Sequence, residues 1–342
     1  MSDSVEVQGQ SFKNMLVSMA AFIIIIAGMV AAKAIIIPAL LSAFIAIVCS
    51  PALFWLERKR VPKVLAFIMV LFVVVAILSG VGAVVGNSIN DFTENLPKYQ
   101  EKLQDLTDAG FKFAEKYKIP LSKDQILKNF DPGTIMGFAG TMIGGLGGLL
   151  SQMMLIFITV AFILFETSTF ARKLKHIHLV EGESPYGSNI FTGKIKRYLA
   201  IKTLTSLATA IIVSVGLLLV GVDYPFLWGM LAFFLNFIPS IGAILAAVPV
   251  LLLTLIQFGP VMTLWVAVGY TIINIAIGNF IEPRFMGKEL GLSPLVVFLS
   301  LMFWGWVLGP VGMFLSVPLT MTAKLAFDSR EETKWLGILL GP

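Results

Sequence analysis

From Tyr224 to Ile281 the chain runs 58 residues without one Asp, Glu, Lys or Arg. As a single helix this stretch would measure about 87 Å, nearly three times a hydrocarbon layer of about 30 Å. It must therefore fold back, and Pro239, Pro249 and the pair Gly259-Pro260 supply the breaks. The rest of the chain agrees that its solvent is lipid. Of 342 residues 57% are hydrophobic and 13% charged, against about a quarter charged in ordinary soluble domains, and the mean hydropathy is +0.90.

Further uncharged runs cover Met15 to Ala32, Ala34 to Leu56, Val64 to Asn90, Pro132 to Phe165, Thr203 to Val222 and Leu290 to Ala323. Roughly 20 apolar residues suffice for a crossing, so the expected fold is an all-α polytopic membrane protein. About eight membrane segments are expected, with broken or re-entrant helical hairpins among them. The first run lacks a small-residue cleavage pattern and reads as a retained helix, not a leader. Lys33 is placed at a turn between the first two helices. The last run folds around Gly309-Pro310, and a hairpin there keeps both termini on the cytoplasmic side.

Charge sets the expected direction. The short basic segment Glu57-Arg58-Lys59-Arg60, with Lys63, belongs in the cytoplasm. Residues 170 to 202, rich in Lys and Arg, belong there too, whereas Asp91 to Asp131 balances eight acidic against seven basic residues and is expected outside. The resulting divisions are N-terminal membrane helices (1–86), an amphipathic extracytoplasmic insert (87–131) and a fourth membrane segment with a Gly-rich lead-in (132–169). After them come a basic cytoplasmic loop with an amphipathic helix (170–202), a C-terminal membrane bundle (203–327) and a cytoplasmic tail (328–342). Phe92, Leu96, Tyr99, Leu103, Leu106, Phe111 and Phe113 give the insert an apolar face, punctuated by Pro97, Pro120 and Pro132. It reads as a short helical hairpin at the membrane surface. The stretch Ile190 to Leu199 lies along the inner leaflet or simply extends the fifth span.

Several classes of chemistry are disfavoured. Cys49 is the single cysteine and cannot form an intramolecular disulfide. His176 and His178 stand in a basic loop without acidic or thiol neighbours, so no metal or cofactor is expected. The net charge of +5 comes from residues flanking apolar runs, which read as orientation signals, and no nucleic acid partner is implied. No Ser-His or Cys-His arrangement points to an enzyme.

Polar groups at membrane depth are costly unless partnered or wet, and so mark candidate function. Asn236 precedes the break at Pro239 and Gly242, and Gln257 closes the same region. Asn274 and Asn279 lie on the following span, with Glu282-Pro283-Arg284 just beyond it. Asn236 can cap a carbonyl freed by Pro239, contact a solute, or join two helices. Glu282 and Arg284 can form a structural pair, a gate latch or a proton-responsive site. Glycines four apart, Gly82 with Gly86, Gly140 with Gly144 and Gly148, and Gly305 with Gly309, allow close helix approach. Trp228, Trp304 and Trp306 read as interfacial anchors, and Trp265 as an anchor or a bundle-facing residue.

The two interrupted runs share an element. Leu227-Trp228-Gly229 with Ile238-Pro239-Ser240-Ile241-Gly242 and Pro249 parallels Phe303-Trp304-Gly305 with Leu308-Gly309-Pro310-Val311-Gly312 and Pro318, a weak sign of a duplicated hairpin. Together with Pro38, Pro51, Val61-Pro62, Gly278-Asn279-Phe280-Ile281-Glu282-Pro283-Arg284, Met286-Gly287 and Gly291-Leu292-Ser293-Pro294, these residues make the chain resemble the autoinducer-2 exporter family of bacterial inner-membrane proteins. The resemblance covers most of the chain. It implies seven or eight spans, self-association as a homo-oligomer such as a pentamer, and movement of a small-molecule substrate among membrane lipids without ATP-binding machinery. The expected function is export of a small polar uncharged signal. Cation–proton antiport and a nontransporting assembly role are the alternatives.

Overall fold

The computed structural model describes residues 2–116, 137, 140–141, 152–166, 186–239, 241–286, 291–329 and 331–341. The Gly-rich positions 144 to 148, Pro120, Pro132, both histidines, the loop 170–185, Gly287 and Lys288 lie outside them, as do the side chains of Leu103, Leu106, Phe111 and Phe113. All regular structure described is helical.

Helices α1 (Ser2–Ala31) and α2 (Lys33–Arg58) meet at Ala32. The Ala32 N–H donates to the Gly28 carbonyl and the Ile36 N–H to the Ala32 carbonyl, so helical bonding continues to the joint from both sides. The turn expected at Lys33 is thus a one-residue joint. Helix α3 (Lys63–Lys116) contains Pro97. The insert expected as a separate hairpin from residue 87 begins inside this helix, because nothing between Gly86 and Pro97 interrupts its bonding. Helix α4 (Met153–Glu166) packs on α2 and the first half of α3 through Ala46, Leu53, Val70, Ile156 and Val160. Ser42 fastens that contact, donating to the carbonyls of Pro38 (2.7 Å) and Ile156 (3.1 Å).

Helix α5 (Tyr186–Val220) is continuous, so residues 190–199 extend the span instead of forming a separate surface helix. The long uncharged run follows as α6 (Pro225–Asn236), α7 (Gly242–Phe258) and α8 (Pro260–Asn274). Proline opens α6 and α8, where its missing N–H costs nothing. A π-helical turn (Ile275–Ile281) leads directly into α9 (Glu282–Met286). The chain then forms α10 (Pro294–Asp328), capped by the Ser293 hydroxyl, which accepts from the Val296 N–H, and α11 (Lys334–Leu339).

Helix α10 bends back on itself at Gly309, whose φ of 68° and ψ of −151° are open to glycine and strained for other residues. The Trp304 indole N–H donates to Thr320 Oγ1 at 3.0 Å across 16 residues, which would lie about 24 Å apart on a straight helix. The fold-back expected at Gly309-Pro310 is therefore present.

Five helical segments among the described residues are long and apolar enough, by length and composition, to cross a membrane: Lys33–Arg58, Lys63–Lys102, Ile195–Val220, Pro260–Phe285 and Pro294–Asp328, the last of them folded back at Gly309. This corrects the expectation of eight. Four other apolar helices, Met19–Ala31, Met153–Glu166, Pro225–Asn236 and Gly242–Phe258, are shorter. The breaks at Pro239 and Gly259 cut the uncharged run into pieces, and 12 residues reach only about 18 Å. The chain is an all-α, multi-span membrane protein. Its outward faces carry large apolar side chains, among them Phe72, Phe162, Leu219 and Trp306, as lipid contact requires.

Candidate functional site

Two interrupted hairpins meet at the centre of the C-terminal half. The first, α6–α7, turns between Asn236 and Gly242, where Ile238 N–H donates to the Leu235 carbonyl (2.8 Å) and Ile241 N–H to the Pro239 carbonyl (2.7 Å). Gly242 closes the turn and is buried, and a Cβ there would overlap the Leu235 carbonyl. In the second hairpin a Cβ at Gly312 would overlap the Trp304 carbonyl. The same device closes both turns, which is the parallel visible in the two sequence runs. Close approach also occurs at Gly229, against Ser214, and at Gly305, against Met313, whereas Gly86, Gly140 and Gly309 have open space where a Cβ would go. Gly86, expected to allow close helix approach, therefore makes no tight contact among the described residues.

The turns touch through aromatic rings. Phe237 and Phe314 lie 4.3 Å apart by centroid, and Phe44 of α2 meets both edge-on at 5.5 and 5.1 Å. This apolar cluster joins the first hairpin, the second hairpin and α2.

Beside Phe237, Asn236 faces α5, and its amide donates to Ser206 Oγ at 2.9 Å. It thus joins two helices and does not cap a carbonyl freed by Pro239. Pro239 is half-buried within the turn. Next to Asn236 is a cavity of about 20 Å³, lined by Thr209 and Val213 of α5, Ala232 and Asn236 of α6, Ala243 and Ala246 of α7, and Tyr270, Ile273, Asn274 and Ile277 of the following span. Among the described residues no charged side chain lines it, and its size matches about one water molecule. Asn236 and Asn274, far apart in the chain, are brought to the lining of one cavity.

Beyond Asn274 the π turn places an extra residue in the winding, and the Glu282 N–H reaches the Ile277 carbonyl five positions back. Such turns re-aim the residues after them and recur at functional positions. Asn279, within it, is exposed, as are Pro283 and Arg284. Glu282 is turned inward instead. Its Oε1 accepts from Lys202 Nζ at 2.6 Å and from Thr205 Oγ1 at 3.0 Å, with side-chain exposures of 7% for Lys202 and 15% for Glu282. The pairing expected between Glu282 and Arg284 is replaced by one across helices, because the π turn directs the carboxylate toward α5.

Gln257 belongs to another cluster. It donates to Asp223 Oδ2 and accepts from the Asp223 N–H (3.2 Å), Tyr99 donates to the same carboxylate at 2.8 Å, and the Trp228 indole donates to the Asp223 carbonyl at 2.9 Å. Asp223 thereby ties the far part of α3 to the base of the first hairpin, and Phe92 packs against Tyr99, Tyr224 and Trp228. Trp228 is fully buried in this cluster, which corrects its reading as an interfacial anchor; Trp265, at 68% exposure, faces outward.

Sequence reasoning missed Lys202, Thr205, Ser206, Thr209 and Tyr270. Lys202, Thr205 or Ser206, and Thr209 recur at helical spacing on one face of α5, a signal that could have found them. Only the fold-back of α6 shows what that face meets.

A lipid-exposed helical bundle with two interrupted hairpins that meet at Phe237 and Phe314, the first of them beside a small cavity, is the architecture of a membrane transport protein. The comparisons agree. Residues 19–331 match the AI-2E family transporter model, and the chain belongs to that family. It is 39% identical over 337 residues to a provisionally described transport protein of Haemophilus influenzae, covering 95% of each chain. It is similar to the Escherichia coli transport protein YhhT, also provisionally described, at 37% identity over 96% of this chain and 94% of the relative. It is similar too to the Escherichia coli AI-2 transport protein TqsA, at 36% identity over 93% and 92%. The protein is a multi-pass transporter of the bacterial inner membrane and not an enzyme.

Proposed function

We propose that the chain moves a small, polar, uncharged signal of the autoinducer-2 type across the inner membrane, through a path that includes the Asn236–Asn274 cavity. The observation that carries this reading is the character of that cavity: four uncharged polar side chains, Thr209, Asn236, Tyr270 and Asn274, set in an otherwise apolar lining beside the turn where α6 gives way to α7. A mostly apolar lining with a few uncharged hydrogen-bonding groups favours a small neutral solute over an ion, since a bare cation would need carboxylates or converging carbonyls. The similarity to TqsA, named as an AI-2 transport protein, points the same way.

The Lys202–Glu282 pair, held by Thr205, serves in this reading as a latch at the cytoplasmic end of the path. The Phe237–Phe314 contact is an apolar seal between the two hairpin turns. Residues 227–257 act as a re-entrant hairpin beside the long spans, and copies of the chain assemble as a homo-oligomer such as a pentamer, which native mass spectrometry of the purified protein measures. The deciding test is flux of a labelled furanone-type signal into proteoliposomes, with and without sodium or proton gradients. Flux above protein-free liposomes, impaired by Asn236→Ala, is the expected result. Sodium-dependent proton movement lost in Glu282→Gln, without solute flux, favours the antiport alternative that the buried ion pair keeps open.

A further inference from the structure

Tyr270 carries the strongest unassigned feature of the molecule. Its ring lines the cavity, and its hydroxyl oxygen is buried without a hydrogen-bond partner among the described residues. The other such hydroxyl, that of Thr203, does not line the cavity. A buried, unsatisfied hydroxyl costs about 1–3 kcal/mol, and phenylalanine would fill the same space without that cost. The neighbouring groups are already committed in complementary ways. Thr209 Oγ1 donates to the Thr205 carbonyl at 2.9 Å, leaving its lone pairs open as acceptors. One N–H of the Asn236 amide is used on Ser206, and its carbonyl oxygen is an acceptor.

We infer that the Tyr270 hydroxyl is a solute-binding group, donating to a hydroxyl or carbonyl oxygen of a neutral solute whose own hydroxyls donate to Thr209 and Asn236. This rests on the transport reading above and narrows it: the ligand is a small uncharged compound carrying both hydrogen-bond donors and acceptors, such as a polyhydroxylated furanone. The cavity of about 20 Å³ admits one polar group of such a compound at a time, so entry of the whole solute requires the α6–α7 turn to move away from α8.

The test compares wild type, Tyr270→Phe and Asn236→Ala in proteoliposomes with a radiolabelled dihydroxyfuranone, alongside thermal unfolding of each solute-free protein in detergent. Tyr270→Phe is expected to raise the KM for uptake by about fivefold, the effect of one neutral hydrogen bond, with little change in maximal rate. It is also expected to melt at the wild-type temperature or above, because it removes an unsatisfied group. A lowered melting temperature with unchanged KM would mean that the hydroxyl is bonded within the protein and would overturn the inference. An unchanged KM in a stable Tyr270→Phe protein would overturn it too. If uptake fails in Asn236→Ala while Tyr270→Phe behaves as wild type, this inference alone falls; if neither substitution matters, the proposed path falls with it.

Discussion

Lys202 places its ammonium 2.6 Å from the Glu282 carboxylate although 80 residues separate them in the chain. The pair bridges α5 and the start of α9, and both side chains are largely withdrawn from solvent. Removing one member of a buried pair leaves an uncompensated charge, at a cost of about 3–5 kcal/mol, whereas replacing both by neutral groups is often tolerated.

Glu282→Gln and Lys202→Met should therefore each lower the melting temperature in detergent, and the double variant should recover most of the loss. In the double variant the latch is absent while the fold persists, so initial transport rates should change with little loss of folded protein. Equal melting of all four proteins would show that the pair carries no energetic weight.

Asn236→Ala removes the amide that reaches Ser206. Helix-to-helix hydrogen bonds in membranes are worth about 0.6 to 2 kcal/mol, too little to unfold the bundle. Initial rates in proteoliposomes should fall several-fold while size-exclusion profiles stay those of wild type. Unchanged rates in a correctly inserted variant would take Asn236 out of the path.

Gly242→Val and Gly312→Val test whether both turns depend on close approach. Each added side chain meets a backbone carbonyl that cannot move without opening its hairpin, and overpacking of this kind costs about 1–3 kcal/mol. Gly86→Ala, with open space around it, should stay within about 0.5 kcal/mol of wild type. Thermal unfolding of the three variants distinguishes the sites.

Asp223→Ala should release α3 from the first hairpin, since the Asp223 carboxylate accepts from both Tyr99 of α3 and Gln257 of α7. Tyr99→Phe removes one of these bonds and should cost about 1 kcal/mol. Limited proteolysis of the far part of α3, faster in Asp223→Ala than in Tyr99→Phe, is the expected readout.

The sequence by itself determined the solvent, the helical class and the positions of the breaks. Each rests on local properties: a 58-residue uncharged run cannot be one helix across a bilayer, and Pro239, Gly259-Pro260 and Gly309-Pro310 stand at breaks, whereas Pro249, expected as another, lies inside α7. Orientation signals, the shared hairpin element and the polar positions Asn236, Asn274 and Glu282 were legible for the same reason. The tertiary structure decided partnership. It gave Glu282 to Lys202 and not to Arg284, sent Gln257 to Asp223 away from the cavity, buried Trp228, and set Tyr270 beside Asn236. These outcomes depend on which helix faces meet once the hairpins fold back and on how one π turn rotates the helix beyond Ile281. Neither is encoded in the spacing of residues along a single helix.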